Sequence, residues 1–337
     1  MMKARRLLPR QVHDRLSLHH LDHRDLREEF LQSVLEGLSA TPKRIPPKYF
    51  YDQRGSDLFE RITATEEYYP TRTESWILEH HAADMFRAAG RPAEIVELGS
   101  GSSTKTRWLL NQLAELPRLV RYTAVDISPS PVREFGLALL ADYPSLQMHG
   151  LIADYHSALA ELKRQSGSPR LFLFLGSSLG NFDLPSAEKL LAHISECMQP
   201  EDRLLIGVDL VKQSAILDRA YNDAGGVTAA FNLNLLSRIN RELGGHFPLE
   251  RFRHLAFFNK AQSRIEMHLE SLARQDIRVD ALDRSFTFEE GERLHTENSY
   301  KYHYATLDRL LSQADLRLQQ RWIDPQEWFA ENLVRKA

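Results

Sequence analysis

The run Glu97-Leu98-Gly99-Ser100-Gly101-Ser102-Ser103-Thr104-Lys105 is the first place where this chain offers chemistry. Two glycines let a backbone turn sharply and bring a ligand against the N-terminus of a following helix. Asp126 closes the next apolar run, and a carboxylate so placed can accept hydrogen bonds from both hydroxyls of a ribose. Two later runs end in Asp154-Tyr155, an acid and an aromatic suited to a nucleobase, and in Gly176-Ser177-Ser178-Leu179-Gly180-Asn181. Any one of these could be a tight turn or a helix cap. Four at successive run ends point to a nucleotide-like cofactor, because open α/β sheets bind ligands at the C-terminal ends of their strands.

The elements that must carry these residues are legible as apolar runs recurring at intervals of about 25 residues, separated by helical stretches, as βα units do. They are Glu94 to Leu98, Val120 to Val125, Leu146 to Ile152, Leu171 to Leu175 and Leu204 to Val208. Near-continuous apolar strands belong to a parallel sheet covered on both faces, so the spacing predicts a doubly wound α/β domain. Helices are expected over Leu26 to Leu38 and around Thr73 to Arg87, with Ile45 to Asp52 an extended connector after Thr41-Pro42. After Val211 the rhythm breaks. Ser214 to Glu242 reads as helical, and His254 to Phe258, Arg264 to Glu270 and Asp276 to Val279 as antiparallel strands. Alternation puts Ile265, Met267 and Leu269 on one strand face and Glu266, His268 and Glu270 on the other. A helix near Tyr304 to Ala314 and two strands, Leu316 to Trp322 and Trp328 to Val334, complete the sheet.

Composition narrows the function. In 337 residues, hydrophobic types make up 42% and charged types 26%, the balance of a globular protein. A formal net charge of −3 argues against a nucleic-acid binder driven by counterion release. The only cysteine is Cys197, which excludes an internal disulfide and a Cys-based zinc site. No metal is expected. The early histidines His13, His19, His20 and His23 have no apolar frame and read as part of a flexible tail. No signal-peptide or membrane-spanning run is visible, which fits a cytoplasmic protein without a membrane partner.

The glycine–aspartate pairing serves both dinucleotides and S-adenosylmethionine. The dinucleotide fingerprint requires a glycine where Thr104 stands, which disfavours an NAD-dependent oxidoreductase. Beyond this, Tyr51 to Phe59, Glu67 to Glu74, Glu97 to Arg107, Phe174 to Asn181, Asp209 to Lys212, Tyr221 through Asn232 and Thr296 to Lys301 together resemble the histidine Nα-methyltransferases of ergothioneine biosynthesis. The likeness runs from about Leu35 to the C-terminus, and the acid Glu97 ahead of the first glycine is a further shared feature.

The resemblance implies a Rossmann-like S-adenosylmethionine-dependent methyltransferase fold with a second, smaller α+β substrate-binding domain. It implies that Gly99, Lys105, Asp126, Asp154, Tyr155 and Gly176 hold S-adenosylmethionine, with Tyr51 closing the site beside the reacting amine as the catalytic residue. Asn181 and Tyr221 would grip the α-carboxylate of the amino acid, Tyr68, Glu297 and Ser299 would face the imidazole, and Met267 would lie against the ring. On residue type alone, Tyr68 and Met267 would be core and Glu297 a solvated charge. Two positions depart from the family pattern: Tyr155 replaces a phenylalanine, and Asn298 replaces an apolar residue between Glu297 and Ser299.

The expected organisation is a flexible tail over 1–24, a substrate-binding domain from 25–70 and 212–300, and a methyltransferase domain from 71–211 and 301–337. The expected activity is methylation of the histidine α-amino group, successively to trimethylhistidine (hercynine), by a monomer whose partner is a small-molecule amino acid. The alternatives are the same chemistry on another primary amine, such as a tryptophan derivative, and a non-catalytic S-adenosylmethionine-binding protein.

Overall fold

The structure, a computed structural model, describes residues 10–21, 26–101, 105–113, 120–163 and 167–337. His23 and Thr104 lie outside these residues. Two short strands come first, β1 (Arg10–His13) and β2 (Leu16–His20), then the helices α1 (Leu26–Ser39), α2 (Gln53–Thr63) and α3 (Tyr69–Ala88). The alternating part is β3 (Glu94–Leu98), α4 (Arg107–Leu113), β4 (Val120–Asp126), α5 (Pro129–Asp142), β5 (Leu146–Ile152), α6 (Tyr155–Leu162), β6 (Arg170–Phe174), α7 (Leu184–Cys197) and β7 (Arg203–Asp209). Next come α8 (Ser214–Ala220), α9 (Val227–Leu243), β8 (Phe252–Asn259), β9 (Arg264–Ser271), β10 (Gln275–Val279), β11 (Arg284–Phe288) and β12 (Arg293–Tyr300). The last elements are α10 (Tyr304–Gln313), β13 (Leu316–Ile323) and β14 (Phe329–Lys336). The chain divides into two compact units, the described parts of residues 1–23, 73–210 and 302–337 in the first, and of residues 24–72 and 211–301 in the second.

The first unit is a nine-stranded sheet in the order β1-β2-β5-β4-β3-β6-β7-β14-β13. Strands β2 and β5, β4, β3, β6 and β7 run parallel, and β14 returns antiparallel beside β7. Every residue of β3 and β6 is buried, the consequence of helices on both faces, and this is why these strands are near-continuous apolar runs. The strand order reverses between β3 and β6, so the loops leaving these two strands open the crevice where such sheets take ligands. Ile95, Tyr122, Leu171, Leu205, Phe329 and Leu333 belong to the core beneath that crevice.

One expectation is corrected here. Residues 10–20, read from sequence as part of a flexible tail, form a hairpin that adds two strands to the sheet. Leu16 and Leu18 are buried against β5 and α5, and the room for them comes from glycine. A Cβ on Gly150 would stand 2.5 Å from Leu18 Cδ2, and one on Gly136 would stand 3.3 Å from Leu16 Cδ1. The signal is two leucines alternating with Ser17 and flanked by histidines, too short to outweigh the polar composition around it. His13 and His20 are exposed, and Ser17 Oγ lies 3.0 Å from His149 Nδ1.

The second unit packs α9 against α2 and against a three-stranded antiparallel sheet, β12-β9-β8, with β10 and β11 paired separately. The alternation read in Arg264 to Glu270 is observed, but β9 is the central strand and both its faces are largely covered. Three elements of this unit are not evident in the sequence: α2, β11 and β12. Helix α2 begins at the end of the expected connector, where Asp52 accepts the Gly55 N–H at 2.7 Å. Strand β12 carries a bulge between His295 and Glu297 that hides its period.

Candidate active site

In the first unit, the turn after β3 is built by Gly99 and Gly101, whose φ values of 75° and 48° favour glycine. The Gly99 N–H donates to the Val125 carbonyl at 2.8 Å, and a Cβ on Gly99 would come within 2.6 Å of the Tyr155 hydroxyl. Only bare backbone fits between the β3 turn and the ring that follows β5. Asp126, at the end of β4, accepts the Gly101 N–H at 3.1 Å on one oxygen and the Ser128 N–H at 2.9 Å on the other. Burial pushes its carboxyl above the ordinary range, against the pull of these N–H groups. A pair of ribose hydroxyls supplies the donors that such a desolvated carboxylate lacks.

Asp154 caps α6 by accepting the Ser157 N–H at 2.9 Å, which leaves its second oxygen outside that cap contact. Tyr155 packs edge-on to Phe174 with ring centroids 5.5 Å apart, and burial raises its hydroxyl pKa. Glu97 turns inward. It accepts hydrogen bonds from Thr106 Oγ1 at 2.6 Å and from the Tyr122 hydroxyl, so it anchors the base of the β3 turn. Lys105 and Gly176 are joined by a residue that sequence reading missed, Glu74 of α3, which accepts the Gly176 N–H at 2.6 Å and the Lys105 ammonium. Asn181 ends the short 3-10 turn Ser178–Asn181 that follows Gly176, and is half-buried. Bare glycine turns, a half-buried ribose acceptor, an acid–aromatic pair and a lysine for a carboxylate fit S-adenosylmethionine.

In the second unit the remaining expected residues converge. Tyr51 stacks edge-on to Phe59 at 5.7 Å and to Phe231 at 5.8 Å. Tyr68 lies 6.3 Å from Phe59 and 6.1 Å, edge-on, from Tyr221. The Tyr221 hydroxyl donates to Ser299 Oγ at 2.8 Å, and the buried Lys301 ammonium donates to both, at 3.0 and 2.8 Å. Lys301 is a second residue to which the sequence assigns no role, although it closes the block Thr296 to Lys301. Directly paired residues of an antiparallel sheet share a face, so Glu297, opposite Met267, and Ser299, opposite Ile265, line one side of the sheet. Glu297 is buried at 8% exposure; burial lifts its carboxyl to about 7, with Lys301 pulling it back. It is not a solvated charge.

Asn298, opposite Glu266, points to the other face, where its Oδ1 lies 2.9 Å from His295 Nε2. That departure from the family pattern therefore lies off the face that carries Glu297 and Ser299. Among the described residues no three histidine, cysteine, aspartate or glutamate side chains are grouped to hold a metal ion, and no helix is long and apolar enough to cross a membrane.

Comparison with known proteins identifies the family. The model of a family described as histidine-specific methyltransferase, SAM-dependent, matches residues 30–336. The histidine N-alpha-methyltransferase of Mycolicibacterium smegmatis is 42% identical over 91% of this chain and 95% of its own length. That of Mycobacterium tuberculosis is 42% identical over 90% of this chain and 94% of its own. More distant is the 4-dimethylallyltryptophan N-methyltransferase of Aspergillus fumigatus, 26% identical over 89% of this chain and 93% of its own length. A family match over nearly the whole chain, together with relatives of this identity and coverage, shows that the protein belongs to the histidine-specific, S-adenosylmethionine-dependent methyltransferases.

Proposed function

We propose that the protein transfers methyl groups from S-adenosylmethionine to the α-amino nitrogen of L-histidine, successively to trimethylhistidine (hercynine). The observation that carries this reading is Glu297, a carboxyl buried on the same strand face as Ser299 and poised near neutrality. An imidazole, with a ring N–H to donate and a basic nitrogen to accept, is the side chain such a pair suits. Gly99, Lys105, Asp126, Asp154, Tyr155 and Gly176 hold the methyl donor, and Tyr68 and Met267 bound the ring pocket. Asn181 and Tyr221 take the α-carboxylate with neutral donors, aided by the ammonium of Lys301 on the Tyr221 hydroxyl. The indole-type alternative is disfavoured, because a buried carboxyl finds one N–H on an indole and nothing for Ser299 to complete.

S-adenosylmethionine supplies a methyl on a sulfonium sulfur, open to in-line displacement by an amine lone pair. The chain's own residues then need to supply placement more than a strong base. A reference α-amino pKa near 8 leaves a fraction of the amine neutral at cellular pH, so a hydrogen-bond acceptor such as the Tyr51 hydroxyl is enough to orient the lone pair, and the proton the nitrogen sheds between rounds passes to water. Repeated transfer requires the carboxylate and imidazole contacts to hold while the nitrogen gains bulk. Those contacts are made to the carboxylate and the ring and not to the nitrogen itself, which is compatible with three rounds.

The test is mass spectrometry of a mixture of free amino acids incubated with the protein and S-adenosylmethionine, with histamine in a parallel reaction. Histidine is expected to be converted through mono- and dimethyl species to the trimethyl product, and histamine, which lacks the carboxylate, to be turned over at least about 100-fold more slowly. Preferred methylation of tryptophan would replace the histidine reading. Comparable turnover of histamine would remove Asn181 and Tyr221 from the carboxylate.

A further inference from the structure

Beside the β3 and β6 turns the first unit buries the carboxyl groups of Glu74 and Glu331 next to the half-buried ammonium of Lys105. Glu74 has no exposed surface, and its two oxygens accept from the Gly176 N–H and the Lys105 ammonium. Glu331 of β14 is equally buried, and neither of its oxygens meets an N–H or hydroxyl donor among the described residues. The two carboxyl groups share the space over Gly207 of β7. A Cβ there would stand 2.7 Å from Glu74 Oε1 and 2.8 Å from Glu331 Oε1.

Two carboxylates in contact and out of water do not both ionise. Burial and the Glu74 charge keep the proton on Glu331 well above the usual carboxylate range. Glu331 then donates to Glu74, and the group carries one positive and one negative charge. The turn it supports needs such support. Gly176 and Ser177 are both left-handed, at φ 74° and 58°, and Ser177 is held in this costly conformation where its Oγ accepts the Asp209 N–H at 2.9 Å.

We propose that Glu74 is a positioning residue for the methyl donor: packed against Glu331 over Gly207, it sets both the Lys105 ammonium and the Gly176 backbone at the end of the cleft that takes the donor's amino-acid carboxylate. The assignment rests on the reading that Lys105 holds S-adenosylmethionine, whose one anionic group is that carboxylate. Glu74 touches neither donor nor amine. It acts through Lys105 and Gly176.

Calorimetric titration of S-adenosylmethionine into the whole protein separates these claims, with fold and Tm checked for each variant. Glu74→Gln keeps an acceptor for Gly176 but turns an amide donor toward Lys105. Its Kd for S-adenosylmethionine is expected to rise at least about tenfold, while the histidine KM at saturating donor stays within about threefold. Glu331→Gln is the conservative variant, a neutral donor in place of a neutral acid, and its Kd is expected to stay within about threefold of wild type. The charged groups facing Glu331 are Glu74 from α3 and Lys105 from the segment leading into α4, while Gly207 of β7 and Phe329 of its own strand carry none. Raising the pH until Glu331 ionises therefore adds an uncompensated negative charge under Lys105. Donor binding weakens in wild type on that limb, and the limb is absent in Glu331→Gln.

Unchanged or tighter binding by Glu74→Gln, or a Glu331→Gln protein as impaired as Glu74→Gln, overturns the inference. If Glu74→Gln does not fold, Glu74→Asp withdraws the carboxylate by one methylene, and a loss of at least about fivefold in affinity is then required. Lys105→Ala serves as the reference. Binding unaffected by Lys105→Ala overturns the reading of Lys105 itself, whereas binding weakened by Lys105→Ala but not by Glu74→Gln overturns only the role of Glu74.

Discussion

Glu297 sits in the second unit at a cost that can be measured. Its carboxyl, raised to about 7, retains a proton in the folded protein that the unfolded chain releases near pH 4.3. The folded state thus binds more protons between these two values, and stability falls as pH rises through that window, then levels off above it. The loss amounts to on the order of 3 kcal/mol. Glu297→Gln, which needs no proton to stay neutral, is expected to be more stable than wild type by about 2–3 kcal/mol at pH 8 and equal to it at pH 4. Denaturant titrations at the two pH values test this, and a variant that gains nothing at pH 8 would show that Glu297 is better solvated than its burial implies. The same substitution should lower histidine kcat/KM by about one to two orders of magnitude. A residue that destabilises the protein and serves the substrate is not distinguishable by type from a surface glutamate. Met267, at 1% exposure, was equally unreadable, because a methionine on an apolar face is ordinary core wherever the ligand lies.

The element that presents Glu297 explains why its surroundings looked featureless in the sequence. In β12, Leu294 pairs with Leu269 and Glu297 with Met267, so residues three apart share a face that strict alternation would deny them. The extra residue is Thr296, whose Oγ1 donates to the Met267 carbonyl at 3.0 Å and to Asn232 Oδ1 at 2.8 Å. This threonine locks the bulge and ties it to α9. Thr296→Val, equal in shape but without the donor, should cost about 1–3 kcal/mol of stability and raise the histidine KM, while S-adenosylmethionine affinity in the first unit is unchanged. A Thr296→Val protein with wild-type histidine KM would mean that the bulge holds its register without this hydroxyl. The contrast with the first unit is physical. Strands β3 to β7 are legible because burial on both faces makes β3 and β6 fully buried runs and leaves β4, β5 and β7 predominantly apolar, whereas β12 mixes faces at the bulge and α2 follows directly on an aromatic, proline-led stretch. The cofactor side was readable for the same reason, since its residues stand at the ends of those runs. Glu74 and Lys301 close two of the blocks that carry the resemblance, but neither ends an apolar run, so residue type and spacing assign them no role.

At the scale of the whole chain, the sheet is assembled from three separated stretches of sequence. The first supplies the β1–β2 hairpin, which covers the outer edge of β5 with Leu16 and Leu18. A protein beginning at residue 22 should lose at least about 3 kcal/mol, the burial of two leucines, and should self-associate through the bared β5 edge. Equal stability and monodispersity in denaturation and light scattering would show the hairpin to be ornamental. The third stretch has a different consequence. Strand β7 pairs with β14 from Phe329↔Asp209 to Val334↔Leu204, and residues 210–328 separate the two partners. On the ribosome, β7 therefore emerges with one edge unpaired, and it stays so while the entire remainder of the second unit is being translated. Glu331 arrives only with β14, so until then Glu74 has no neutral acid beside it. The nascent first unit must wait in a state with an open sheet edge and an incomplete charge cluster, the kind of intermediate that holding chaperones engage. Slow translation before residue 329 would prolong that exposure, and synonymous codons there would change the yield of folded protein without changing a single side chain.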